Sequence, residues 1–129
     1  MNTVQISALL LVFVLACVGL FQAALILGAP MGEYAFGGRH PGKLPIGFRI
    51  GSAITLGVYL AQAGHYLAQT GVLKPLFDAG LNGVVNWAFV GLFILGLLMN
   101  SISRSQKERR LWVPVLLLCC VLSVLVAVG

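Results

Sequence analysis

The chain has 129 residues, of which 60% are hydrophobic and 9% charged, with a formal charge of +5 and a mean hydropathy of +1.03. A soluble domain carries about 25% charged residues to cover its surface, so this composition excludes a water-soluble globule. Its long uncharged apolar runs point instead to lipid-facing helices. Seven of the eight basic residues sit in or beside two loops, which argues against a nucleic-acid footprint and gives them the task of fixing orientation in a membrane.

Four spans are expected, at about residues 4–28, 46–69, 84–103 and 111–129. Each approaches or exceeds the roughly 20 residues a helix needs to cross the hydrocarbon, and only helices satisfy their own backbone there. The first span has no Lys or Arg in Met1–Gln5 and stays apolar well past Cys17, so it is expected as an uncleaved span rather than a secretion signal. Gly19 with Ala23, and Ala24 with Gly28, are candidate small-residue contact faces, as are Ala53, Gly57 and Ala61 on the second span. That span also carries Tyr59, Gln62, His65, Tyr66 and Gln69 at spacings of three and four. They read either as a polar pocket lining or, more plainly, as interhelical hydrogen bonds and interfacial anchors.

Between spans two and three, Leu73, Leu76, Phe77 and Leu81 follow helical spacing, which predicts a short helix along the interface. Trp87 and Trp112 fall near span ends, as interfacial aromatics do, and Pro114 is expected in the first turn of the fourth span, where its missing N–H costs little. Cys17, Cys119 and Cys120 lie in apolar runs without metal-ligand or dithiol spacing, so no metal and no cofactor is expected.

Arg39, Lys43, Arg49, Arg104, Lys107, Arg109 and Arg110 fall on one side of such a topology and only Lys74 on the other. The positive-inside rule then places both basic loops in the cytoplasm and both termini outside. The expected fold is an all-α membrane protein, a single domain over residues 1–129. It forms a compact antiparallel bundle of four transmembrane helices with a Gly/Pro-rich cytoplasmic loop between helices 1 and 2.

That loop, Ala29 to Pro45, holds four glycines and three prolines in seventeen residues, with Met31, Tyr34, Phe36 and Leu44 as apolar anchors. A loop of this length with its own anchors is expected to be ordered and functional. Gly37, Gly38, Arg39, His40, Lys43 and Arg49 combine close backbone approach with positive charge, which suits a phosphate such as an anionic lipid headgroup. The plainer reading is that Arg39, Lys43 and Arg49 only set topology, with Glu33 as their ion-pair partner. Inside the spans the polar candidates are Gln22, Gln62, His65 and Asn100; the three acids, Glu33, Asp78 and Glu108, are all assigned to connections. His40 and Glu33 are the only partial acid–base set.

Gly28-Ala29-Pro30-Met31-Gly32, then Gly37-Gly38-Arg39-His40-Pro41-Gly42-Lys43-Leu44-Pro45, then Arg49-Ile50, resembles a family of small bacterial membrane proteins of about this length. There the same loop joins spans one and two, and Met99-Asn100-Ser101, Ser103-Arg104 and Glu108-Arg109 also match. The resemblance implies the four-span fold and a bacterial cytoplasmic membrane, and carries no activity with it.

Three functions fit these features. The favoured one is a non-catalytic protein that binds membrane lipid, or a larger membrane partner or a second copy of itself, through the inner loop and helix faces. A small oligomeric transporter or pore would want a mid-span carboxylate or a broken helix. A membrane enzyme acting on a lipid or isoprenoid phosphate would want a nucleophile–base pair or a metal triad. The sequence displays neither feature.

Overall fold

Three of the long helices begin with a side-chain cap, and those caps set the element boundaries. In the computed structural model, which describes residues 1–129, α1 spans Thr3–Ile26, and Asn2 and Gln5 cap it reciprocally over 2.9 and 3.1 Å. This capping box satisfies orphan donors of the first turn. α2 spans Ile46–Thr70 and starts after Pro45 without a side-chain cap. It stops at Gly71, whose φ of 85° only glycine adopts freely. Asp78 caps α3 (Ala79–Ser101) and Ser105 caps α4 (Gln106–Val128). Two single 3-10 turns, Gly32–Tyr34 and Phe36–Gly38, lie in the loop between α1 and α2. No strand is present.

Two local expectations change. The segment after α2 forms no separate interfacial helix: Gly71 ends α2, residues 72–78 are bends and irregular backbone, and Asp78 starts α3. The helical spacing of Leu73, Leu76 and Phe77 is overridden by Pro75, which disfavours a helical residue before it. α4 also begins five residues before Leu111, because Ser105 captures the Glu108 N–H. Pro114 therefore lies inside the helix, where it removes one backbone bond rather than replacing an orphan donor.

The helices pack antiparallel, α2 against α1, α1 against α4, and α4 against α3. The ends of the α1–α2 pair are tied by side chains reaching the partner's last carbonyls. Arg49 donates twice to the Ile26 carbonyl at 2.7 and 2.9 Å, and Gln5 donates to the Thr70 carbonyl at 3.3 Å. α2 and α3 stand apart as backbones and meet through side chains near the α2 C-terminus. There His65 Nε2 lies 2.6 Å from Asn86 Oδ1, and Gln69 and Asn82 exchange two 2.9 Å bonds.

The main core lies at that same end, where Ala8, Leu11, Tyr66, Phe93, Cys119 and Leu122 are buried together. Gly19 is buried against Leu56 of α2, so this small residue does serve helix packing. Ala53, Gly57 and Ala61 do not: all three are exposed, and the buried side of α2 is Ser52, Gln62 and Tyr66.

Only 22 of 129 residues are buried, while Phe13, Leu20, Ile54, Leu60 and Leu98 lie open. Apolar surface on that scale does not face water. α1, α3 and α4 are each long and apolar enough to cross a membrane, which by length and composition marks a membrane protein. α2 is as long but less apolar, with Arg49, Gln62, His65 and Gln69 along it.

Candidate functional site

At the loop end the bundle is hollow. A cavity of about 450 Å³ lies between the helices, within the range of roughly 300–1,000 Å³ typical of ligand pockets. Leu15, Val18, Phe21 and Gln22 form its α1 wall, and Thr55 and Tyr59 its α2 wall. From α3 come Phe93, Gly96, Met99 and Asn100, and from α4 Glu108, Trp112, Val115 and Cys119. The loop residues Tyr34, Ala35, Phe36 and Gly37 close its floor. Among the lining side chains Phe36 and Met99 are also well exposed, at 38% and 62%.

The floor is ordered because several elements hold it. Leu25, Ala35 and Leu44 form a small core, with Phe21, Met31 and Phe48 packed against it. The Gly32 N–H donates to the Gly42 carbonyl at 2.8 Å, which closes the loop on itself. Trp112 Nε1 donates to the Tyr34 carbonyl at 2.7 Å, and the Ser105 hydroxyl donates to the Glu33 carbonyl. Lys107 pairs with Glu33. Phe36 takes a left-handed φ of 51°, rare for a bulky residue, and packs on Phe48 with ring centroids 5.1 Å apart. Gly37 and Gly38 continue that conformation at φ 73° and 71°, which side-chain-bearing residues resist.

Glu108 completes the floor. It stands three residues after the Ser105 cap, where a capping-box glutamate would turn back to its own helix. Its carboxylate instead accepts the Gly37 N–H at 2.9 Å, and the residue is only 7% exposed. It lies in the first turn, ahead of the apolar run from Leu111. Burial pushes its carboxyl up, and the Gly37 N–H and Ser103 hydroxyl pull it partly back. Glu108 was expected in a connection; the Ser105-x-x-Glu108 spacing was the available signal for its helical place.

The loop residues expected to hold an anion have other engagements. The Gly37 amide serves Glu108, the Gly38 amide donates to the Ala35 carbonyl at 2.9 Å, and Arg49 caps α1. His40 packs against Phe48, with ring centroids 4.6 Å apart, and Glu33 faces Lys107 rather than Arg39, Lys43 or Arg49. His40 and Glu33 thus have separate partners. Arg39 and Lys43 are exposed and take part in no ion pair.

Of the intramembrane candidates, Gln22 and Asn100 meet in the cavity. His65 joins the α2–α3 link, and Gln62 is buried at 2% exposure with its Oε1 unpartnered. No cluster of His, Cys, Asp and Glu with the makings of a metal site is formed.

What the fold defines is a class: an all-helical bundle with three helices able to cross a membrane and a mainly apolar cavity at one end. Compared with protein-family models, curated proteins and solved structures, the chain matches none.

Proposed function

We propose that this is a four-span integral protein of the cytoplasmic membrane that holds the apolar chain of a lipid in its bundle. Both termini lie outside, and the glycine-rich loop is the cytoplasmic floor of the site. Its role is binding rather than catalysis. The observation that carries this is the cavity of about 450 Å³, walled mainly by apolar side chains of all four helices. Its mouth opens sideways between α2 and α3, where a chain enters from the surrounding leaflet without crossing water.

α2 is the fourth span in this reading. It is 25 residues long, packs antiparallel along α1, and leaves Ile50, Ile54, Val58 and Leu60 exposed on its outer side. Arg49 sits at the inner end, where a long side chain reaches the interface. The unpaired Arg39 and Lys43 face the anionic inner leaflet. Each contributes about 1 kcal/mol of attraction there, so the two together strengthen headgroup association roughly thirtyfold.

The test is to fill the cavity. At Gly96 a Cβ would make ordinary contact with Leu116, 3.4 Å away, and the remainder of a leucine would project into the space. Gly96→Leu should purify folded, with unchanged helical circular dichroism, and carry markedly less bound lipid by mass spectrometry. A folded Gly96→Leu protein that retains the same lipid in the same amount would overturn the reading. Arg39→Gln with Lys43→Gln should weaken binding to anionic vesicles, while Lys107→Gln with Arg109→Gln should change it little. Equal losses in the two pairs would reduce the loop charges to topology alone.

A further inference from the structure

We infer that the cavity selects a lipid whose head donates hydrogen bonds and carries no negative charge, a long-chain alcohol or amine. This rests on the lipid-holding reading above and names the head that goes with the chain.

Several donors at the loop end are already engaged. Trp112 Nε1 serves the Tyr34 carbonyl, and the Gly37 N–H serves Glu108. Asn100 Nδ2 donates to the Gly96 carbonyl at 2.8 Å, and the Thr55 hydroxyl donates to the Gly51 carbonyl at 3.0 Å. Free acceptor capacity remains at Asn100 Oδ1, the lone pairs of Thr55, and the buried Oε1 of Gln22, which has no partner. The Gln22 amide can rotate to offer its nitrogen instead, so it adapts to a head. Asn100 is fixed by its bond to Gly96 and imposes a donor. Tyr59 keeps a free choice, one helical turn further from the loop than Thr55.

Charge points the same way. Glu108 is the one acid in the lining, and no Lys, Arg or His accompanies it. A second negative charge placed beside it in a poorly solvated space meets repulsion with no counterion. A hydroxyl or ammonium instead gives the unpartnered Gln22 oxygen a donor, whose absence is costly in a buried site. The cations Arg39 and Lys43 lie outside, among residues that do not line the cavity.

Trp112 lines the cavity and Trp87 is 51% exposed at the other end of α3, so a Trp87→Phe protein reports through Trp112 alone. This protein is reconstituted in bilayers at a pH that keeps fatty acid ionised. It is then titrated with mid-chain-brominated probes: an alcohol, an amine, a fatty acid, an alkyl phosphate and a headless bromoalkane. The alcohol, the amine or both should quench Trp112 saturably, at concentrations at least tenfold below the acid and the phosphate. Whichever of the two quenches identifies a neutral or a cationic head. Adding Gly96→Leu should abolish saturable quenching.

Asn100→Leu should weaken the alcohol about fivefold, the worth of one net hydrogen bond, and leave the bromoalkane unchanged. Glu108→Gln keeps an acceptor for Gly37 and should narrow the gap between acid and alcohol. If acid and phosphate quench as well as the alcohol, donor selection is overturned while chain binding stands. If no probe, the bromoalkane included, quenches saturably, the lipid-holding reading falls with it.

Discussion

Gly32 and Gly47 stand near the same end of the bundle, yet a methyl group at each would meet very different surroundings. A Cβ on Gly32 would lie 1.9 Å from the His40 carbonyl oxygen and 2.7 Å from that of Gly42, both backbone, whereas nothing lies within 4 Å of one on Gly47. Gly32→Ala must therefore push apart the strands of the loop that the Gly32–Gly42 bond closes. It should lower the melting temperature in detergent and cost about 1–3 kcal/mol. Gly47→Ala, in the first turn of α2, should leave stability unchanged or raise it by up to about 1 kcal/mol. Equal melting temperatures for the two variants would show that the loop is not packed as described.

Glu108 is the other residue whose effect is specific. Glu108→Ala leaves the Gly37 N–H without an acceptor, at a cost of about 1–3 kcal/mol. Amide exchange across residues 32–38 should then quicken roughly five- to 150-fold. Glu108→Gln supplies an amide oxygen in the same place and should exchange nearly as slowly as the native chain. Fast exchange in Glu108→Gln would mean that charge, rather than the hydrogen bond, holds the floor.

Among helices adjacent in the chain, α2 and α3 form the loosest pair. Their backbones stand apart, and His65–Asn86 and Gln69–Asn82 supply the polar link at one end. Such bonds between helices in lipid contribute on average about 0.6 kcal/mol, with a maximum near 1.7 kcal/mol, because partners are also found when helices separate. Asn82→Leu and Asn86→Leu should each cost no more than that in unfolding titrations in mixed micelles. Together they should widen the mouth, which spin labels at Ile54 and Leu95 would register as a longer distance. An unchanged distance in the double variant would show that the main core alone sets the gap. That core is continuous across all four helices through Leu11, Tyr66, Phe93 and Cys119, which explains why the bundle is tight at one end and hollow at the other.

At the scale of the molecule, the proposed orientation rests on charge. Seven of the eight Lys and Arg fall in or beside the α1–α2 and α3–α4 connections, so a reporter active only in the cytoplasm should be silent when fused after Gly129 and active when inserted beside Lys107. The reverse pattern would invert the proposed topology and place the cavity floor on the outer face. Cys17 gives a second check. It is exposed on α1 among apolar neighbours, so lipid should shield it from a membrane-impermeant thiol reagent in intact membranes. Ready labelling would place that part of α1 in water.

The sequence alone determined the helical class, the approximate helix positions and a loop ordered by its own anchors. Each depends on local quantities: apolar run length, and the apolar anchors and glycines of the loop. Gln22 and Asn100 were legible as polar residues on apolar helices, and the structure brings them into one cavity. What only the tertiary structure decided is which groups those residues face. The loop glycines and Arg49 read as an anion site because residue type does not reveal that Glu108, 71 positions from Gly37, takes the amide, or that Ile26 takes the guanidinium. The outward turn of Ala53, Gly57 and Ala61 was equally hidden, since small-residue spacing marks a face without fixing its direction. Hydrogen-bond partners distant in the chain and the rotation of each helix about its axis are settled by packing, and here packing placed a cavity where the sequence showed a loop.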